Sequence, residues 1–153
     1  MPDFLAVWNG STWAPFCNAS GPAFGGNVNA LQIIGSTLYV GGSYQNGAGI
    51  ASADYLLRCD LTTGASSSPF AADGDSTGGV YALTADSAGN LYAGGTFVNM
   101  AGIPEADHVA AYDGSAWHAM GGSAGTPAVS GIVRGLGASG TDVFVGTRAS
   151  VVA

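Results

Sequence analysis

Three stretches of this sequence have residue types and spacings that could do chemistry. Asp73-Gly74-Asp75-Ser76-Thr77-Gly78 opens like a calcium loop, with Asp73, Asp75 and Thr77 as candidate ligands. Calcium takes about six to eight oxygens and, in such a loop, a bidentate acid at the last position. Thr84 stands there instead, so a solvated connector is the preferred reading and the ion site the alternative. Gly135-Leu136-Gly137-Ala138-Ser139-Gly140 fits the dinucleotide pattern, but that loop must open a helix, and the strand-like TDVFVG follows. Gly121-Gly122-Ser123-Ala124-Gly125 has the spacing of a nucleophile elbow, yet it lies in a Gly/Ser connector without a strand-to-helix setting.

The remaining reactive side chains fall into repeated structural positions. Asp60 and Asp113 occupy the same turn position as Asn9, and Asp54 and Asp107 recur just before a strand, where a short acceptor can hold loop amides. His108 and His118 are ten residues apart, without the spacing of a zinc pair. Cys17 and Cys59 form no CxxC and fall in different repeats, so they are expected as free thiols. No catalytic residue, cofactor site or firm metal site is expected, and the protein reads as non-enzymatic. Four aromatics recur at matched positions: Trp8 with Tyr112, and Trp13 with Trp117. They are expected to fill the space between sheets, and as the alternative reading they are the candidate ligand platform, flat faces on which a sugar ring can stack.

Composition excludes several classes. The chain has ten acids and only Arg58, Arg134 and Arg148 as fixed cations, with no lysine, for a net charge of -7. Phosphate-backbone binding needs several Lys/Arg contacts, so a nucleic-acid partner is excluded, and an anionic membrane surface is disfavoured for the same reason. Charged residues make up 8% of the chain and glycines number 26, the profile of an all-β chain with many tight turns. No apolar stretch reaches the roughly 20 residues that span a bilayer, and MPDFLAVWNG lacks the basic and apolar regions of a signal peptide.

The elements that position these residues repeat with a period of about 52 residues. VNALQIIGSTLYVGGSY at 28 to 44 returns as VYALTADSAGNLYAGGTF at 80 to 97, and more weakly as VRGLGASGTDVFVGT at 133 to 147. Between them lie LAVWNGSTWAPF, LLRCDLTTGASSSPF and VAAYDGSAWHAM. Each unit resolves into four short antiparallel strands: an alternating V-x-A-L run, an LYVGG-type run, then two strands around an Asn-Gly or Asp-Gly turn. The single repeat domain, 1-153, thus divides into a half-unit of third and fourth strands (5-27), two full units (28-79 and 80-132), and a half-unit of first and second strands (133-153). The end segments are complementary halves of one sheet and are expected to pair, within the chain or between chains.

The stretches LYVGGSYQNGAGIASADYLLRCDLTTG and LYAGGTFVNMAGIPEADHVAAYDGSAWHAMG resemble the GGTF…AxWDGSxW repeats of bacterial, phage and fungal β-propeller-like proteins. Kelch-type and galactose-oxidase-type propellers, the Rax2-like family and the delta-60 repeats are neighbours of these. The resemblance implies four-stranded sheets as blades, about three per chain with one composite blade from the termini, arranged as a propeller or a three-sheet prism. It implies a fold and not an activity. Gly146-Thr147 departs from it by losing the second glycine.

The expected function is that of a structural or assembly protein, most plausibly a bacteriophage virion component such as a capsid decoration or a tail or fibre part. Its localisation would be the virion or the extracellular space. Its partners would be other virion proteins and further copies of itself, joined through the terminal half-blades as a homo-oligomer. A glycan-binding propeller lectin or adhesion module is the alternative, and a fragment of a larger extracellular propeller is a third reading.

Overall fold

A computed structural model describes residues 5–17, 24–71, 76–123 and 125–148. These residues form twelve strands and two single turns of 3-10 helix, with no α-helix among them. In chain order the strands are β1 (Ala6–Trp8), β2 (Trp13–Pro15), β3 (Val28–Ile34), β4 (Thr37–Gly42), β5 (Leu56–Asp60), β6 (Ser66–Ser67), β7 (Val80–Ala85), β8 (Leu91–Gly95), β9 (Val109–Tyr112), β10 (Trp117–Ala119), β11 (Ile132–Ser139) and β12 (Asp142–Arg148). The protein is all-β. Two four-stranded antiparallel sheets, β3-β4-β5-β6 and β7-β8-β9-β10, are flanked by the two-stranded sheets β1-β2 and β11-β12.

The repeat seen in the sequence is reproduced down to its irregularities. The first strand of each unit carries the same β-bulge, between Val28 and Ala30, Val80 and Ala82, and Val133 and Gly135. A bulge adds one residue to one strand and bends it. The bulged residues then reach along the stack: the Asn29 side-chain amide donates to the Val80 carbonyl at 3.4 Å, and the Arg134 guanidinium lies 4.1 Å from the centre of the Tyr81 ring.

The turns explain the repeated acids. Asn9 Oδ1 accepts from the amides of Ser11 and Thr12, Asp60 Oδ1 from Thr62 and Thr63, and Asp113 Oδ1 from Ser115 and Ala116. Each acceptor satisfies two amides that the tight turn would otherwise leave unpaired. Gly10 and Gly114, with φ of 99° and 97°, supply the left-handed residue after it.

The sheets are layered in chain order. On one face of the first four-stranded sheet, Leu38, Val40, Leu57 and Cys59 pack with Leu5 and Cys17 from the β1-β2 end. On its other face Tyr39 and Leu56 join Val80, Leu91, Ala93 and Tyr112 of the second sheet. Alternation along β4 and β5 sends neighbouring residues to opposite layers, so both faces are apolar. Burying each large side chain here is worth roughly 1.5–3 kcal/mol.

Close approach between layers depends on one glycine per joint. A methyl group added to Gly41 would lie 2.7 Å from Val80 Cγ1, and one added to Gly94 would lie 2.4 Å from Val133 Cγ1. Leu83 and Leu136 flank the same two glycines at 3.3 and 3.2 Å. Each joint is therefore a Val/Leu pair seated on a bare backbone patch.

The cysteines correct the expectation of free thiols: Cys17 and Cys59 form a disulfide, and both are buried. Sequence spacing concealed this because the pair spans two layers. Cys17 follows β2 as Phe70 follows β6, and Cys59 holds on β5, opposite Leu38, the place that Tyr112 holds on β9, opposite Leu91. At the next joint Phe70 stacks on Trp117, which in turn packs on Tyr112. The same place is closed once by aromatic rings and once by a covalent bond. Among the described residues the terminal sheets β1-β2 and β11-β12 do not pair with each other, since two complete sheets separate them in the layering.

Two outcomes are expected in denaturant titrations. Gly94→Ala should cost about 1–3 kcal/mol by overpacking the Val133 seat. Reduction of the disulfide, or Cys17→Ser, should cost about 4 kcal/mol on loop-closure grounds for a sequence separation of 42. Thiol titration of the unreduced, unfolded chain should find no free cysteine.

Candidate functional site

The four aromatics singled out by repetition fall into two pairs with opposite fates. Tyr112 and Trp117 are 4% and 7% exposed, and the Trp117 indole N–H donates to the Pro69 carbonyl at 3.2 Å. Their faces are covered by Tyr39 and Phe70 and are closed to a ligand. Trp8 and Trp13, directly opposite each other on β1 and β2, are 50% and 65% exposed, with ring centres 5.4 Å apart. Identical repeat positions differ because Tyr39 and Phe70 of the preceding unit pack on Tyr112 and Trp117, whereas among the described residues no sheet precedes β1 and β2 in the stack.

The exposed pair borders a groove of about 420 Å³ between the β1-β2 hairpin and the first four-stranded sheet. The hairpin contributes Val7, Trp8 and Trp13 to its lining and the first full unit Leu31, Ile33 and Leu61, and every lining side chain is apolar. A sugar site combines an aromatic platform with polar groups that fix the hydroxyls. This groove has the platform and lacks those side chains. Among the described residues, every large apolar side chain that is markedly exposed lies along this groove or at Phe144 on β12, apart from Val98.

The chemically suggestive residues are occupied elsewhere. Asp73 and Asp75 lie outside the described residues. Thr77 is described, and its hydroxyl donates to the Val98 carbonyl at 3.0 Å. The described residues contain no group of three or more His, Cys, Asp or Glu that could hold a metal ion. Gly135 to Ser139 run along strand β11; Ser123 exchanges backbone hydrogen bonds with Thr126, and Ala124 lies outside the described residues. Asp113 accepts from both Ser115 Oγ at 2.7 Å and His118 Nε2 at 2.8 Å. The carboxylate, not the imidazole, sits in the middle, so the serine does not face the imidazole as it would in a Ser-His-Asp triad. His108 is held by the Val129 carbonyl at 3.1 Å.

The long loops after β4 and β8 are covers. Asp54 Oδ1 accepts from the Asn46 amide at 2.7 Å and Asp107 Oδ1 from the Asn99 amide at 2.8 Å, each closing a loop over a 3-10 turn. Tyr44, Phe97 and Met100 are driven fully into the core beneath them. The Tyr44 hydroxyl donates to the Val40 carbonyl, and burial pushes its pKa well up.

Sequence reasoning missed Leu31, Ile33 and Phe144 as surface features. Their alternation on a strand marks them as inward-facing, and only the layering reveals that nothing lies opposite. No protein-family model, curated protein or solved structure matches the chain.

Three turn carboxylates carry a pH signature. Hydrogen bonds from Thr63 and Thr62 lower the pKa of Asp60, and those from His118, Ala116 and Ser115 lower that of Asp113. Asp86, which accepts from Asn90, Tyr92 and Ala88, is lowered to about 2. Their contribution to stability is complete above about pH 4 and is lost as the pH falls through the lowered values. Tm should therefore drop between pH 4 and pH 2, and the drop should be shallower in Asp86→Asn, whose remaining oxygen still accepts amides. A Tm that holds to pH 2 would contradict this.

Proposed function

We propose that this chain is a non-enzymatic structural protein that assembles with further copies of itself, as a component of a larger particle. The observation that carries this reading is the pair of half-built sheets. Among the described residues β1-β2 and β11-β12 each have two strands where the internal units have four, and the exposed large apolar side chains, Val98 apart, gather beside them. Free strand edges and an uncovered sheet face are the features that strand addition between chains uses. The repeat resembles propeller blades, and two chains would complete a ring of six by sharing the split ones.

A bacteriophage particle, in its capsid decoration or tail, is the setting that the composition favours. The lysine-free, weakly charged, glycine-rich chain suits a scaffold that presents surface and not reactive groups. The buried disulfide suits an oxidising environment outside the cytoplasm. No helix among the described residues is long and apolar enough to cross a membrane. Affinity in such an assembly comes from buried area and repeated copies.

The exposed Trp8–Trp13 pair supports a second reading, a glycan-binding module. Binding to a glycan array that is lost in Trp13→Ala, with Tm unchanged, would favour it.

Light scattering across a concentration range tests the first reading. The expected result is a stable dimer or trimer. A monomer at every concentration would count against self-assembly.

A further inference from the structure

The internal joints show what each end of the stack is built to meet. In both of them a Val/Leu pair from the first strand of one unit sits on a glycine in the second strand of the unit before: Val80 and Leu83 on Gly41, Val133 and Leu136 on Gly94. The repeat places a third pair, Val28 and Leu31, on β3, and a third glycine, Gly146, on β12. Val80 and Val133 are completely buried, whereas Leu31 is 51% exposed, and Ile33 two residues on is 55% exposed. A methyl group added to Gly146 would meet only the backbone of its own hairpin, no closer than 3.7 Å. One end thus carries a knob whose Leu31 is uncovered, Val28 being partly buried against the first core cluster, and the other an unused socket of the same joint.

The edges match as well. The second and third strands of each complete unit pair in a fixed register, Leu38↔Cys59, Tyr39↔Arg58, Val40↔Leu57 and Gly41↔Leu56 in one, Leu91↔Tyr112, Tyr92↔Ala111, Ala93↔Ala110 and Gly94↔Val109 in the other. Among the described residues β12 is a second strand without a third, and β1 is a third strand without a second. Carrying the register over aligns Val143 with Trp8, Phe144 with Val7, Val145 with Ala6 and Gly146 with Leu5. Phe144, at 62% exposure, and Val7, at 41%, are then cross-strand neighbours.

Resting on the self-assembly reading above, we propose that a second copy of this chain docks β12 antiparallel against β1 in this register, laying its Gly146 over Val28 and Leu31. The four strands β11-β12 of one copy and β1-β2 of the next form one sheet, which fills the apolar groove beneath Trp8 and Trp13. The contact is heterologous, using different surfaces on the two copies, so it closes into a ring when the rotation per copy permits and otherwise propagates. A sheet completed in this way is antiparallel throughout, as the internal ones are, and covers Leu31 and Ile33 as Leu83 is covered.

The test uses two single variants mixed together, Val7→Cys and Phe144→Cys, treated with a short bis-maleimide and separated under denaturing conditions. A covalent dimer at least about tenfold more abundant in the mixture than in either variant alone is expected, and than in a mixture of Val7→Cys with the off-register Asp142→Cys. In parallel, Gly146→Val should keep the melting temperature of the isolated chain while abolishing association in light scattering. Several results would overturn the joint. If the wild-type chain is oligomeric but the mixture gives no cross-link, this joint is wrong and self-assembly stands. A cross-link only within a chain carrying both cysteines means closure in cis, and a wild-type chain that is monomeric throughout defeats both readings.

Discussion

The absence of a side chain at Gly41 and Gly94 is the constraint on which the rest of the structure hangs. With no Cβ there, Val80 and Val133 come within van der Waals range of the neighbouring backbone, and the layers close to a spacing that any larger residue would forbid. That spacing lets Tyr39 reach Tyr112, Phe70 reach Trp117, and Arg58 hydrogen-bond the Tyr112 hydroxyl at 3.2 Å across the joint. The bulge in each first strand belongs to the same arrangement, because it bends the strand toward its seat.

Residues with chemical potential are consumed in building this framework. Asp60 and Asp113 hold hairpin turns, Asp54 and Asp107 close the long loops, and Asp86 gathers four hydrogen bonds at the turn between β7 and β8. These five carboxylates are thus engaged by amides and hydroxyls that hold the turns and loops.

The architecture was largely legible in the sequence, because a repeat states each element more than once. V-x-A-L and LYVGG announced the paired strands, and Asn9-Gly10 and Asp113-Gly114 announced their turns. Asp54 and Asp107 were legible as loop acceptors for the same reason. What was not legible is whatever depends on the joint between units. Cys17 and Cys59 looked unrelated because no spacing rule connects a residue after one unit's fourth strand with the end of the next unit's third strand. Trp13 and Trp117 looked equivalent because composition at a position carries no information on whether a neighbouring layer is present. Nothing in the sequence sets Leu31 and Ile33 apart from the equivalent positions of the other units, and the groove they line became visible only with the sheets in place.

The disulfide also determines how the chain would respond to mechanical force. Tension between the two ends enters through the β1-β2 hairpin and crosses at once from Cys17 to Cys59, bypassing the intervening residues of the first full unit. The bridge hides roughly 140 Å of contour length, from a sequence separation of 42, that no pull can release while it is oxidised. β3 and β4 lie wholly within the shielded loop, so load passes them by and falls on the strands outside it, whose joints are closed by side-chain packing and hydrogen bonds and not by a covalent bond.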